Sequence, residues 1–293
     1  MITVIIPTYK NEEGLIKNFT LNLPFIKGCE IIVVNDNPER SIENDLKSFP
    51  QIILIENGTN LGFAGAVHKG IIHAKKDYIL LLNSDVVLTD SSYVKALDTM
   101  KKDQRVFAVS FAQKEKDGST VGKNSIYWKD GFFHHKKTSD LKPGVNGWAE
   151  GGSCMLNKRI YKEIGGFDPI YAPFYWEDID LSYRAWKAGY KIFFNPEIIV
   201  QHYHESTIGK YFSKETVKPI AYRNQFVFIW KNIEDRILLF SHIFRLLFLL
   251  PVMIFKDKSY IKGFCGALLL LPKIIAKRKR SKISDREILN MFI

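Results

Sequence analysis

Three carboxylates fall within four residues in the stretch FYWEDID, where Glu177, Asp178 and Asp180 follow Phe174, Tyr175 and Trp176. Crowded carboxylates repel one another, which works to raise at least one pKa, while a helix dipole at the same place pulls the other way. Acidity alone also fits a helix N-terminus, where the macrodipole favours anions. It does not account for the aromatic wall beside the acids, a pairing typical of sites that grip a sugar ring. A second acidic point is Asp85, which closes Asn83-Ser84-Asp85 directly after the apolar run Tyr78-Ile79-Leu80-Leu81-Leu82. A third candidate lies in EIIVQHYHEST, where His202 and His204 are two residues apart and so share one face of a strand. A lone histidine is more often structural, but two on one face together with Asp85 point to a divalent-metal site.

Rigid elements must hold these groups. Ile2 to Ile6, Glu30 to Val34, Gln51 to Glu56 and Tyr78 to Leu82 read as strands. Glu12 to Leu23, Ser41 to Phe49 and Phe63 to Ala74 read as helices between them. This βαβα order predicts a parallel, doubly wound sheet. Three strands end in polar clusters: Pro7-Thr8-Tyr9, Asn35-Asp36-Asn37 and Asn83-Ser84-Asp85. Each alone could be a turn, but three on the carboxyl rim of a parallel sheet favour a ligand crevice. No G-x-G-x-x-G follows the first strand; the nearest run, Asn60-Leu61-Gly62-Phe63-Ala64-Gly65, follows the third, which disfavours a hydride-transfer enzyme. Further on, Glu150-Gly151-Gly152 is a close-approach turn, followed by a short strand. A helix from Lys158 to Ile164 is closed by Gly165-Gly166, and the helix opened by Glu177 ends at Gly189, with Asp180 and Arg184 spaced for an ion pair.

The length of 293 residues and 46% apolar content suit one large domain with or without an appendage. Three cysteines without metal spacing point to a reducing compartment, and MITVIIPTYKNEEG lacks the features of a signal peptide. The net charge is +11, and residues 256–293 hold ten Lys/Arg against three acids, so +7 lies in that tail. A polyanionic partner is implied for the tail, but nucleic acid is not, since stacking aromatics are not interleaved with the basic residues. From Ile237 to Phe255, 15 of 19 residues are apolar. Their transfer into a bilayer gains about 6 kcal/mol against about 3 for a central Arg245, before Ser241, His242 and Pro251 are counted. Ser241, His242 and Arg245 fall in one sector, which predicts an amphipathic interfacial helix ended or kinked at Pro251. With the apolar run Phe264 to Leu271 and Lys277-Arg278-Lys279-Arg280, this is a pairing that anchors proteins to anionic lipid. The alternative is a helical hairpin packed on the rest of the chain, with a solvated tail.

The motifs VIIPTYKNEE, IIVVNDN, NLGFAGAVHKG, LLLNSDVVL, EGGSCMLNKRIYKEIGGFD, FYWEDIDLSYRAWKAGY and AYRNQF, in this order, resemble a family 2 glycosyltransferase of the bacterial rhamnosyltransferase-like branch. The resemblance runs from Ile2 to about Trp230 and implies a GT-A fold, with a Rossmann-like, mostly parallel sheet over 1–230, to which the apolar and basic tail adds a membrane-associating helical region over 231–293. It implies inverting, metal-dependent transfer from a nucleoside-diphosphate sugar, dTDP-rhamnose first and a UDP-hexose next. The acceptor would be a hydroxyl of a lipid-linked glycan at the cytoplasmic membrane face, in cell-surface polysaccharide synthesis. Asn83-Ser84-Asp85 stands at the family's DxD motif, and donor contacts fall on Pro7, Thr8, Tyr9, Asp36, Asn60, Gly62, Asn83, Ser84 and Asp85. Acceptor contacts fall on Trp148, Glu150, Gly151, Trp176 and Glu177, and Asp178 is the base. Asp85 and His202 would hold Mn²⁺ or Mg²⁺, with His204 in reserve. The sequence departs from the pattern at Asn83, at Asn35 in place of the first residue of an Asp-Asp pair, and at His68 where relatives often have Asn. A non-catalytic sugar-nucleotide-binding or scaffold subunit is the competing reading; the presence of both Asp85 and Asp178 favours catalysis.

Overall fold

A computed structural model describes residues 1–202 and 211–292. Strands β1 (Ile2–Thr8), β2 (Glu30–Asn35), β3 (Ile52–Glu56) and β4 (Tyr78–Leu82) lie parallel in the order β3-β2-β1-β4. Their nearly unbroken apolar runs are what a sheet covered on both faces requires. Helix α1 (Glu12–Asn22) packs Leu15 and Phe19 with Val4 and Ile6, while α2 (Gly62–His73) packs Val67 and Ile71 with Ile5 and Val34 on the other face. The helix expected over 41–49 is absent. That segment forms separate turns, with bonds such as Phe49 N–H to Leu46 O that never propagate. Asn44-Asp45 and Pro50 favour turns over an uninterrupted helix.

The second half makes the sheet mixed. β5 (Val86–Leu88) leads to α3 (Val94–Lys102) and β6 (Val106–Lys114). After β7 (Thr120–Val121) comes a separate hairpin of β8 (Asn124–Lys129) and β9 (Phe132–Lys137), then β10 (Gly144–Val145). β11 (Ser153–Asn157) inserts antiparallel between β4 and β6, while β12 (Lys191–His202) runs parallel to β6. The parallel order expected from the first half therefore holds there, and the strand after Glu150-Gly151-Gly152 reverses it. Helices α4 (Lys158–Glu163) and α5 (Glu177–Lys187) connect these last strands.

The chain closes with α6 (Lys214–Asn232), α7 (Arg236–Lys256), α8 (Lys258–Leu269), α9 (Leu271–Lys277) and α10 (Asp285–Asn290). Ile274 and Ile288 share one core with Trp186 and Phe228, so apolar contacts cross the expected 230/231 boundary. Buried ion pairs cross it as well. Lys187 lies 3.0 Å from Asp285, whose other oxygen accepts the backbone N–H groups of Glu234 and Asp235. Helix α7 runs through Pro251 without ending there. Two of its three polar residues face inward while Arg245 stays exposed: Trp128 Nε1 donates to Ser241 Oγ, and His242 is buried with Nδ1 2.7 Å from Gly131 O. The apolar side faces out, with Phe240 71%, Leu247 65% and Phe255 91% exposed. By length and composition α7 could cross a membrane, as could the bent pair α8–α9.

Candidate active site

The carboxyl ends of β1, β2 and β4 open onto a cleft of about 700 Å³, and all sixteen described candidates line it, from Pro7 and Asp36 to Asp178 and His202. His204 lies outside the described residues. At the β2 end, Asp36 Oδ1 accepts from Asn57 Nδ2 (2.7 Å) and from the Leu61 N–H (2.9 Å). Burial raises its pKa and these bonds oppose the rise. Asn35 instead bonds the Arg40 carbonyl and caps the Asn37 N–H, so its amide shapes the loop. Asn60 Oδ1 accepts the Gly62 N–H, and Gly62 sits at φ +70° with Pro173 O only 2.7 Å from where a Cβ would stand. Only glycine fits both that dihedral and that approach.

The turn after β4 is held from below by helix α1, whose asparagines the sequence reading missed. Asn18 Nδ2 donates to Ser84 O, Asn11 Nδ2 to Ser84 Oγ, and Asn22 Nδ2 to Val86 O. Asp85 is thereby presented to the last residue of β12. His202 Nε2 lies 3.3 Å from Asp85 Oδ1, and His202 Nδ1 lies 2.6 Å from Gln113 Oε1. Gln113 Nε2 in turn donates to Glu150 Oε2 at 2.5 Å, so its Oε1 must accept and His202 Nδ1 must carry the proton. His202 Nε2 and the Asp85 carboxylate oxygen, this close, need a proton or a cation between them. Asp85 Oδ1 is buried and accepts no hydrogen bond among the described residues. A hard divalent ion with oxygen ligands at about 2.1 Å places neighbouring ligands about 3 Å apart, so this pair fits one edge of its coordination shell. Among the described residues no third His, Cys, Asp or Glu joins them. That count suits an ion completed by substrate phosphates and water.

Across the cleft, Tyr175 and Trp176 both adopt left-handed backbone, at φ +72° and +75°, before α5 begins at Glu177. Such conformations in bulky residues persist only where the surroundings enforce them. The enforcement comes from α6: buried Asn224 donates through Nδ2 to the carbonyls of Tyr171 (2.7 Å), Phe174 (2.9 Å) and Tyr175 (2.9 Å), and Arg223 donates to Ala172 O. The loop so fixed aims Asp178 into the cleft. Burial pushes the Asp178 carboxyl up to about 7, the Ile179 and Gly151 N–H groups oppose it, and the charge of Glu150 adds to the rise. Burial also raises Glu177, with Asp178 adding to it. Asp180 plays a different part from its neighbours. Although burial works against its charge, Arg184 at 2.7 Å and Lys231 at 2.8 Å hold it well below the usual carboxylate range. It fastens α5 to α6 and does not reach the cleft.

Among the further lining residues that gave no signal in the sequence are Phe63, Gln113, His135 and Lys137. Phe63 packs where a Cβ on Gly151 would stand, which explains the glycine. His68 lies outside the cleft, bonded to Tyr161 in a smaller adjoining pocket.

The chain is similar to the N-acetylglucosaminyl-diphospho-decaprenol L-rhamnosyltransferase of Mycobacterium tuberculosis, with 22% identity over 209 residues that cover 61% of this chain and 68% of that protein. It is also similar to the poly-beta-1,6-N-acetyl-D-glucosamine synthase of Staphylococcus aureus, with 24% identity over 67% of this chain and 48% of that protein. The solved structure of GalNAc-T7 with UDP, GalNAc and Mn²⁺ shares the fold at a TM-score of 0.63, 15% identity and 94% of this chain over 56% of that one. A mannosyltransferase of Pyrobaculum calidifontis in complex with GDP-Man and Mn²⁺ shares it at 0.54 and 13% identity, over 94% and 77% of the two chains. The α/β architecture is therefore of the GT-A type. Residues 3–165 match Glycosyl transferase family 2, more than half of the sequence, and the chain belongs to that family of glycosyltransferases.

Proposed function

We propose that the protein is an inverting, metal-dependent glycosyltransferase that moves a sugar from a nucleoside-diphosphate donor to a hydroxyl of a lipid-linked glycan. The observation that carries this reading is the placement of Asp178, with a carboxyl raised to about 7, in one cleft with the Asp85–His202 pair. Asp178 takes the proton of the acceptor hydroxyl as its oxygen attacks the anomeric carbon. The bond from that carbon to the diphosphate breaks, and the nucleoside diphosphate leaves with the electron pair. Asp85 and His202 would hold Mn²⁺ or Mg²⁺. Such an ion supplies positive charge to the departing diphosphate. Pro7, Thr8, Tyr9, Asp36, Asn60 and Gly62 line the nucleoside end, and Trp148, Glu150, Gly151, Trp176 and Glu177 the acceptor end. dTDP-rhamnose is the favoured donor and a UDP-hexose the next, since the relative in M. tuberculosis is named a rhamnosyltransferase and one structural neighbour holds UDP. Thermal shift against a panel of sugar-nucleotides with Mg²⁺ or Mn²⁺ tests this. Stabilisation by dTDP-rhamnose, lost in Asp85→Ala, is expected; stabilisation by a UDP-sugar alone would overturn the rhamnosyl assignment.

The same reading places the enzyme peripherally on the cytoplasmic membrane face. Its support is the outward apolar side of α7, followed in sequence by the exposed Lys256, Lys258, Lys262, Lys273, Lys279, Arg280 and Lys282. A spanning α7 would pull the bonded β8–β9 turn, with Asp130, into hydrocarbon, so an interfacial helix is the better fit. Full-length protein should bind anionic liposomes and lose binding in Phe244→Glu/Leu247→Glu/Phe248→Glu. Wild-type protein that ignores such liposomes at low salt would refute the placement.

A further inference from the structure

The hairpin β8–β9 has no place in the mechanism above, yet it links two sites. Its turn docks on α7: Gly131 O bonds His242, Trp128 bonds Ser241, and a Cβ on Gly131 would collide with Arg245. Its far end enters the cleft, where His135 stands edge-on to both Trp148 (5.2 Å) and Trp176 (5.0 Å). Strand β9 reads FFHHKK, and its last residue, Lys137, is the one Lys or Arg lining the cleft among the described residues. That cation faces a cleft otherwise populated by Asp36, Asp85, Glu150, Glu177 and Asp178. Its visible partner, Glu115 Oε1, is 4.0 Å away, at the limit of an ion pair, and the Lys137 side chain is half exposed. Its opposite residue in the hairpin, Asn124, bonds Glu150, and Gln113 and His202 stand between Glu150 and Asp85. Lys137 thus sits beside the Asn124–Glu150 bond, at the acceptor end of the cleft. An acceptor rising from a bilayer under α7 meets this hairpin before it meets Asp178.

We infer that Lys137, with His135 shaping the wall beside it, binds the phosphate or diphosphate that joins the acceptor sugar to its lipid. This rests on the proposed transfer to a lipid-linked glycan. An ammonium–phosphate contact is a charge-assisted bond, and losing it costs about tenfold or more in affinity. The test compares two acceptors, farnesyl-diphosphate-linked N-acetylglucosamine and the farnesyl glycoside of the same sugar without phosphate, using dTDP-rhamnose as donor. Lys137→Ala should raise KM for the phosphorylated acceptor at least tenfold, leave the phosphate-free acceptor and the donor KM unchanged, and Lys137→Arg should restore most of the loss. An equal loss with both acceptors, or a raised donor KM, would overturn the inference and assign Lys137 to the sugar or to the donor diphosphate. An unchanged melting temperature confirms that the exposed substitution leaves the fold intact. Wild-type protein that transfers to neither acceptor refutes the functional reading and this inference with it. Transfer by wild type without a selective Lys137 effect refutes the inference alone.

Discussion

Replacing Asn224 should damage both fold and turnover, although the residue lies outside the cleft. Its amide donates to the carbonyls of Tyr171, Phe174 and Tyr175, and it is fully buried. Asn224→Ala leaves three carbonyls without that donor, at about 1 kcal/mol each. It also frees Tyr175 and Trp176 to leave left-handed conformations that cost roughly 1 kcal/mol apiece, so the loop has a downhill route away from its working shape. The expected destabilisation is about 3 kcal/mol if the loop holds its shape and about 1 if it relaxes, a fall in Tm of roughly 2–12 °C for a chain of this size. Displacement of Asp178 by even about an ångström should lower kcat on the order of a hundredfold while donor KM holds, because the donor contacts sit on other strands. Asn224→Asp, nearly isosteric, should be worse than Asn224→Ala, since it sets a carboxylate oxygen against three carbonyl oxygens. Calorimetry and steady-state kinetics on both variants decide the matter. An alanine variant with wild-type Tm and kcat, or an aspartate variant milder than alanine, would refute the reasoning.

Two further outcomes follow from the carboxylates of α5. The base must be ionised to act, so kcat/KM should rise with pH to a plateau above an apparent pKa near 7, and Asp178→Asn should lose about 10²–10⁴-fold in kcat. The same raised pKa means that ionising Asp178 costs stability as pH climbs from its unfolded value near 4 through 7. The Asn variant should therefore be more stable than wild type at pH 8, by about 1–2 kcal/mol after allowance for solvent in the cleft, and a destabilised variant would count against the assignment. Asp180→Asn should do the opposite, losing about 3 kcal/mol because Arg184 stays buried without its counter-charge while Lys231 keeps only Asp168 at 2.7 Å. With its folded pKa held low, the wild-type contribution is present at neutral pH and fades in acid, so the two proteins should converge in Tm as pH falls. A constant difference down to pH 2 would contradict that role.

Much of the cleft was legible because its parts are local in sequence. Unbroken apolar runs announced β1, β2 and β4, and the polar residues closing each run could only sit on one rim once those strands were parallel. What sequence could not give were contacts made by distant partners. Nothing in AYRNQF marks Asn224 as the clamp of a loop fifty residues earlier, and Asn18 and Asn22 read as ordinary polar positions of an amphipathic helix. The spacing of Asp180 to Arg184 announced their ion pair, but not that Lys231, fifty residues on, would close on the same carboxylate. The antiparallel entry of β11 was equally hidden, since five buried residues read the same in either direction. On α7 the polar sector of Ser241, His242 and Arg245 was legible, but not that Ser241 and His242 would bond Trp128 and Gly131.

The central claim is a single displacement at one cleft, driven by Asp178 and dependent on Asp85 and His202. The measurement that meets it most directly is NMR of the product formed from dTDP-rhamnose and the farnesyl-diphosphate-linked acceptor, with Mn²⁺ or Mg²⁺ present and then chelated. The account predicts a glycosidic bond of opposite anomeric configuration to the donor, formed only with metal and at least about a hundredfold more slowly in Asp85→Ala and Asp178→Asn. A product that retains the donor's configuration, or transfer at the wild-type rate in Asp178→Asn, would contradict it.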